Sequence, residues 1–303
     1  MNMSHDHNHQ MTNYNRAFAI GVMLNVIFVV IETRCGITAG SLALIADAGH
    51  NLSDVLSLLI AWGAAFLATK PATQKRTYGF RKTTIMASLA SAILLLVAMG
   101  GIAWEAIVRF FDPKPVDGIT VLVVAVIGVA INTITALLFV SGQKHDLNIR
   151  GAFLHMAADA GVSLGVVVTG IIIMTTGWLL TDPLISLLIV AVVLAGTWPL
   201  LRDSMNLAID SVPADIDMAG IKRYLTGLEN VVQIHDLHVW PMSTTEVALS
   251  VHLIMVDDSL NKDFLSRLQQ QLHDRFSIEH STIQIEKQGD DPCMLNENKN
   301  GCM

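Results

Sequence analysis

Long apolar segments separated by short polar connections fill the first two thirds of the chain. Each is close to or longer than the roughly 20 residues that a helix needs to cross a bilayer. Asp182 and Pro183 begin the last of these segments, as N-cap and first helical residue. The pattern therefore predicts six membrane-spanning helices, at 16–36, 41–68, 83–110, 118–141, 149–176 and 183–201.

The pattern changes after Ser211 to shorter segments with mixed polarity. Helical spacing of apolar residues predicts helices at 215–227 and 261–276, and Val- and Ile-rich stretches predict strands at 230–240, 244–256 and 280–287. The order αββαβ is sufficient for one ferredoxin-like α+β domain, with a sheet that two helices cover on one face. We expect four regions: a tail (1–15), the transmembrane domain (16–210), a soluble α+β domain (211–288) and a flexible C-terminal tail (289–303).

Composition and charge support this division of the chain. Of the 303 residues 52% are hydrophobic and 15% charged, which is too apolar for an ordinary soluble protein. Residues 1–210 hold 12 basic and 12 acidic residues, whereas 211–303 hold 7 and 14, so the whole net charge of −7 lies in the C-terminal part. An acidic chain without a Gly-rich phosphate loop argues against binding of nucleic acid or nucleotide.

Basic residues in the connections predict the orientation in the membrane. They concentrate between the second and third segments and between the fourth and fifth, and are absent between the fifth and sixth. Both termini and the C-terminal domain should therefore face the cytoplasm. The residues concerned are Lys70, Lys75, Arg76, Arg81, Lys82, Lys144 and Arg150.

Ionisable residues inside the predicted spans carry the strongest chemical signal. Each costs roughly 2.5–3.5 kcal/mol on membrane-insertion scales, so it is expected to face inward and to serve a function. His50 and Asp54 are four residues apart in the second span, and His155 and Asp159 in the fifth, so each pair shares a helix face. Two imidazole nitrogens and two carboxylate oxygens suit tetrahedral Zn²⁺.

Three further acidic residues lie in predicted spans, and Glu105 is expected to serve as a hydrogen-bond partner between helices. Glu32 and Asp47 either line the pathway of the ion or lie near the end of a span. The residues alone leave both interpretations open.

The charge of the four-residue set suggests how it could work. Zn²⁺ with two carboxylates and two neutral imidazoles is neutral, and protons would restore neutrality when the metal leaves. The sequence therefore predicts a carrier that exchanges Zn²⁺ for H⁺ by alternating access. A membrane zinc sensor without transport and a proton-coupled carrier of organic cations are the alternatives. A hydrolytic enzyme is disfavoured, because a closed four-ligand site keeps no position for water.

Two motifs carry a family resemblance. SLALIADAGHNLSD at 41–54 resembles the second helix of the cation diffusion facilitator family, and LHMAAD at 154–159 resembles its fifth helix. The resemblance covers nearly the whole chain and is closest to bacterial inner-membrane zinc exporters. It implies a homodimer that exchanges Zn²⁺ for protons, with His50, Asp54, His155 and Asp159 at the transport-site positions. Histidine at the first of these positions resembles the zinc-preferring subgroup.

The resemblance implies further roles outside the transport site. Lys82 and Asp210 match a charge pair that ties the membrane half to the soluble half in relatives. His235, His252 and Glu286 match zinc ligands of relatives' cytosolic domains. Residues 71–80 contain neither histidine nor carboxylate, so a second metal site that some relatives carry there is expected to be missing.

The two tails hold weaker candidates. His5, His7 and His9 alternate near the N-terminus and could capture Zn²⁺ loosely, or they belong to a solvated tail without a ligand role. Cys293 and Cys302 resemble metal-binding cysteines of related tails, but they lie nine positions apart and form no CxxC clamp.

Overall fold

The computed structural model describes residues 8–139, 147–256 and 262–288. Six long helices come first, followed by an α+β region. The helices are α1 (Asn8–Ala39), α2 (Leu42–Ala68), α3 (Thr83–Phe111), α4 (Gly118–Phe139), α5 (Leu147–Thr176) and α6 (Thr181–Ala208); then come α7 (Met218–Thr226), β1 (Val231–Pro241), β2 (Val247–Met255), α8 (Lys262–Phe276) and β3 (His280–Lys287).

The chain forms two compact units. The first contains the described residues up to Ile60 together with Ala90–Pro199; the second contains Ala61–Leu89 and the described residues from Leu200 onward. The second unit therefore contains the C-terminal end of α2, the N-terminal end of α3 and the C-terminal end of α6, together with the α+β region.

The six predicted spans agree with the long helices except at two ends. Helix α1 begins at Asn8 rather than 16, and α6 continues through Pro199 to Ala208 rather than ending at 201. Both extensions contain polar residues, which the hydropathy pattern excludes from a span although a helix outside the bilayer accepts them. Within the described part of the chain, the five helices α2–α6 are long and apolar enough to cross a membrane.

The first unit distributes its side chains as a membrane protein does. Its apolar core draws on all six long helices, for example Phe28 on α1, Met99 on α3 and Val166 on α5. Large apolar side chains nevertheless cover the outside, with Val97 and Trp104 each 70% exposed. An apolar exterior of this extent suits lipid rather than water, as expected of a multi-pass membrane protein.

The connection between α1 and α2 is tightly fixed. Gly40 takes the left-handed conformation (φ 69°), and a Cβ there would lie 2.8 Å from the Pro115 carbonyl oxygen. The side chain of Ser41 accepts the backbone N–H of Leu44 at 3.2 Å and so caps α2. Helix α2 therefore has a defined start, which fixes the position of every α2 residue along the helix axis.

Asp182 caps a different helix from the one predicted. Its carboxylate accepts hydrogen bonds from Ser41 Oγ (2.5 Å) and from the backbone N–H groups of Leu42 (2.7 Å) and Ala43 (3.2 Å), at the start of α2. The prediction that it caps its own helix is wrong, since α6 already begins at Thr181. The negative charge is favourable at the positive end of the α2 dipole.

Helices α4 and α5 approach each other closely. A Cβ at Gly170 of α5 would lie only 2.8 Å from the backbone nitrogen of Leu122 on α4. A glycine at this position therefore permits the backbone contact, as small residues do between membrane helices.

The α+β part of the second unit has the predicted order of elements. Strand β2 is central, antiparallel to β1 and parallel to β3. Leu249, Val251 and Leu253 of β2 are fully buried with Ile221 of α7 and Leu272 of α8. The helices thus pack on one face of the sheet, and the alternate residues of β2 point to the other face.

Candidate metal centres

Four side chains of α2 and α5 converge in the first unit. His50 Nε2 lies 3.3 Å from Asp159 Oδ1 and 3.6 Å from Asp54 Oδ2. His155 Nε2 lies 3.2 Å from Asp54 Oδ2 and 3.6 Å from Asp159 Oδ2. Each histidine thus faces both carboxylates, and we call this group the α2–α5 cluster.

The spacing within the α2–α5 cluster is that of ligands around a small cation. With bonds of about 2.0–2.1 Å, the ligand atoms of tetrahedral Zn²⁺ lie about 3.4 Å apart. The four histidine–carboxylate distances of 3.2–3.6 Å bracket this value. The donor types of this set suit Zn²⁺. His50, Asp54 and Asp159 each place one ligand atom within 4.8 Å of the other two, whereas His155 is not part of that group, so the four-residue ligand set stays a prediction.

The α2–α5 cluster is open on one side. The side chain of Asp159 is only 3% exposed and that of His50 16%, whereas Asp54 is 31% and His155 43% exposed. The exposed pair is the one farther from the start of α2 and nearer to the start of α5. The cluster is therefore more exposed on the side of the α2 C-terminus and the α5 N-terminus than on the opposite side.

Glu32 and Asp47 lie on α1 and α2, and neither is exposed at all. Ser163 Oγ donates a hydrogen bond to Asp47 Oδ2 (2.8 Å), and Asn51 Nδ2 donates one to Glu32 Oε2 (3.5 Å). Neither partner was found from the sequence. A signal existed, since Asn51 and Ser163 each lie four residues from a predicted inward-facing residue, Asp47 and Asp159 respectively.

The predicted ligands of the C-terminal domain also meet. His235 and His252 are direct neighbours on β1 and β2, with ring centroids 4.9 Å apart. Glu286 on β3 lies 2.9 Å from His235 Nε2 and 2.8 Å from His252 Nδ1. The three side chains project from the sheet face that the helices leave free, and they could hold one metal ion.

The electrostatics of this second cluster keep its carboxylate charged. Burial alone would raise the pKa of Glu286, but hydrogen bonds and charge interactions with His235 and His252 outweigh it, so the pKa is lowered from the usual glutamate value. The carboxylate is therefore ionised at neutral pH and can accept a cation.

Asp236 is a member of this cluster that the sequence analysis missed. It has φ 51°, and the β1–β2 register shifts between His235 and His238 around it. This irregularity brings Asp236 Oδ2 to 3.6 Å from His252 Nε2. Strict strand alternation would place neighbouring residues on opposite faces, so only the irregular register puts Asp236 beside the histidines.

Lys82 and Asp210 form the predicted ion pair, with Lys82 Nζ 2.7 Å from Asp210 Oδ1. Both side chains are half exposed. Arg81 lies 3.0 Å from Glu246 and forms a second bridge in the same unit. Any role of these pairs in joining the two halves stays a prediction.

Lys82→Ala should change the free energy of unfolding by less than about 1 kcal/mol, because exposed ion pairs contribute little. Thermal unfolding of the purified protein would check this, with Lys75→Ala, at another exposed lysine in the same connection, as control. A loss well beyond that of the control would contradict the expectation.

The predicted ligands of the tails lie largely outside the described residues. This holds for His5, His7, Cys293 and Cys302, while His9 falls in the first turn of α1.

Comparison with known proteins identifies the family. Residues 18–207 match the model of the cation efflux transmembrane domain, and residues 213–288 match that of the cytoplasmic domain of cation efflux proteins. The chain belongs to the cation diffusion facilitator family. It has membrane-spanning helices followed by an α+β domain that matches the family's cytoplasmic domain, and it is a cation transporter.

Named relatives of the family align over almost the full chain. A metal cation efflux system protein CzcD of Cupriavidus metallidurans is 38% identical, covering 94% of this chain and 90% of the relative. A zinc transporter ZitB of Escherichia coli is 36% identical, covering 99% and 98%. A cadmium, cobalt and zinc/H(+)-K(+) antiporter of Bacillus velezensis is 34% identical, covering 94% and 92%.

Among solved structures, the metal-bound C-terminal domain of the CzcD transporter is 34% identical, covering 23% of this chain and 99% of that one, with a TM-score of 0.22.

Proposed function

We propose that this protein is a proton-coupled Zn²⁺ exporter that binds its substrate at His50, Asp54, His155 and Asp159. The convergence of these four side chains from two membrane helices carries the proposal. Relatives named as zinc transporter and as metal cation efflux protein support zinc as the substrate.

Charge balance supports proton coupling at this site. The empty site holds two carboxylates in surroundings of low dielectric, and this is costly unless cations neutralise them. Two protons supply the same charge as Zn²⁺, and protons compete with the metal for the same ligand atoms. A relative named as a zinc/H(+)-K(+) antiporter is consistent with such an exchange.

The direction of transport follows from the proposed topology. With both termini in the cytoplasm, the exposed Asp54 and His155 face the cytoplasmic side, and the buried side of the cluster faces outward. This arrangement admits cytosolic Zn²⁺ to the site. Reorientation of the helices would then open the other side, where protons displace the metal.

The C-terminal cluster fits a regulatory role rather than a place on the ion pathway. In this proposal Zn²⁺ at His235, His252 and Glu286 favours one arrangement of a homodimer formed through the cytoplasmic domains. A match to the cytoplasmic domain of cation efflux proteins supports this part of the proposal.

A flux experiment separates the exporter from a sensor that does not transport. The chain is reconstituted into proteoliposomes with a trapped zinc indicator. We expect the wild type and the double variant His235→Ala/His252→Ala both to move Zn²⁺ when the metal is saturating. The double variant should bind fewer zinc ions, and the dependence of its transport rate on zinc concentration should differ from that of the wild type. His273→Ala, at an exposed histidine, is the control.

Zinc binding without flux in the wild type would contradict the exporter and favour the sensor. Unchanged zinc dependence in the double variant would remove only the regulatory role.

A further inference from the structure

Glu32 and Asp47 form a buried carboxyl pair that metal transport by the α2–α5 cluster does not use. Both side chains are completely buried. Asn51, which donates to Glu32, lies one helical turn from Asp47 on α2, so both carboxyls face the same buried region. Because an ionised carboxylate only accepts hydrogen bonds, a hydrogen bond between the two groups requires a proton on one of them.

The surrounding donors are sufficient for one negative charge rather than two. Ser163 Oγ supplies one hydrogen bond to Asp47, and Asn51 Nδ2 supplies a long one to Glu32. Glu32 Oε1 and Asp47 Oδ1 find no donor among the described residues. Two carboxylates that are both charged would leave this second charge unpaired in the core of the helices, which is costly. The pair is therefore built to hold one shared proton.

The charged surroundings of the pair connect it to the α2–α5 cluster. Titratable residues near the pair are Arg34 and Cys35 on α1, His50 one turn from Asp47 on α2, and Asp159 on α5, which lies 3.3 Å from His50. Helix α4 contains no titratable residue. Those of α3 and α6 lie toward the helix ends, at Glu105, Arg109, Asp182, Arg202 and Asp203.

The pair lies on the closed side of the cluster. Asp47 precedes His50 by three residues, which is about 4.5 Å along the helix axis toward the capped start of α2. Over a few ångströms of protein interior, a change of one charge at the cluster strongly changes the free energy of protonating the pair. The proton of the pair and the ion at the cluster are thus coupled.

We propose that Glu32 and Asp47 form a proton-binding site that releases its shared proton when a divalent cation binds at the α2–α5 cluster. The inference rests on the proposed function of that cluster. Zn²⁺ adds two positive charges and displaces one proton from its own ligands, so the cluster becomes more positive by one charge and the pair supplies the second of the two protons. The O–H bond of the pair then breaks, the proton passes to water and both carboxylates stay ionised beside the metal.

Counting protons per zinc ion tests the proposal. The purified full-length chain is titrated with Zn²⁺ in weak buffer containing a pH indicator, and bound zinc is measured by equilibrium dialysis. The bound zinc and the released protons that are lost in the variant Asp54→Asn are assigned to the α2–α5 cluster. Glu32→Gln keeps the size and the hydrogen-bonding capacity of the side chain but cannot exchange a proton. We expect it to bind this zinc while releasing about one proton fewer per ion.

Asp47→Asn, which removes the other carboxyl, should give the same deficit. Glu105→Gln, the same change at a carboxylate paired with Lys114, should release as many protons as the wild type. The inference would be overturned if Glu32→Gln and Asp47→Asn released as many protons per zinc ion as the wild type. It would also be overturned if both variants lost the bound zinc, because the pair would then belong to the metal site. Zinc binding and release unchanged in Asp54→Asn would overturn the metal site itself.

Discussion

Asparagine in place of Asp159 should abolish zinc transport. The substitution keeps the shape of the side chain and one oxygen facing His50, but it removes one of the two negative charges that balance Zn²⁺. Asp159 is also the most buried member of the α2–α5 cluster, so water cannot replace it easily. Loss of a residue that only supports a metal ligand typically costs 10–100-fold. We therefore expect the initial rate of zinc uptake into proteoliposomes to fall by at least about 100-fold.

Asp203→Asn is the matched control, because Asp203 is an exposed carboxylate on the long helix α6 and contacts Arg202. It should transport at the wild-type rate. If Asp159→Asn transports zinc as well as this control does, the four-residue metal site is wrong.

Alanine in place of Asp182 should strongly destabilise the protein. The carboxylate satisfies two backbone N–H groups of α2 and the hydroxyl of Ser41, and it lies 3.6 Å from the buried guanidinium of Arg109. Arg109 also donates to the Gly40 carbonyl oxygen, so the same network joins three helix ends. Removing one partner of a buried pair typically costs about 3–5 kcal/mol. The midpoint of thermal unfolding in detergent should fall accordingly.

Asp112→Ala changes an exposed carboxylate just beyond the end of α3 and should leave the midpoint unchanged. Equal midpoints for the Asp182 and Asp112 variants would show that the cap contributes little to stability.

Much of the fold follows from the periodicity of the sequence. Apolar segments long enough for a bilayer gave the six long helices, and β-branched stretches gave the three strands. The ends of α1 and α6 did not follow, because a helix that leaves the apolar region continues with polar residues. Hydropathy marks the part of a helix in lipid rather than the helix itself.

The proximity of the α2–α5 residues could be predicted because it depends on local geometry. A spacing of four residues puts His50 with Asp54 and His155 with Asp159, and the cost of burying charge requires the two pairs to face inward. Contacts made through tertiary packing could not be predicted in this way. Asp182 caps a helix 140 residues earlier in the chain, and Asp236 reaches His252 only through an irregular strand.

Simultaneous recording of zinc and proton movement in the same proteoliposomes tests the central claim most directly. Vesicles carrying the wild-type chain contain a zinc indicator and a pH indicator, and a pH gradient is imposed in either direction or abolished with an ionophore. The account predicts that zinc enters acidic vesicles as protons leave, that reversing the gradient reverses zinc movement, and that neither occurs with Asp159→Asn. Zinc flux that ignores the gradient, or proceeds without proton movement, would contradict it.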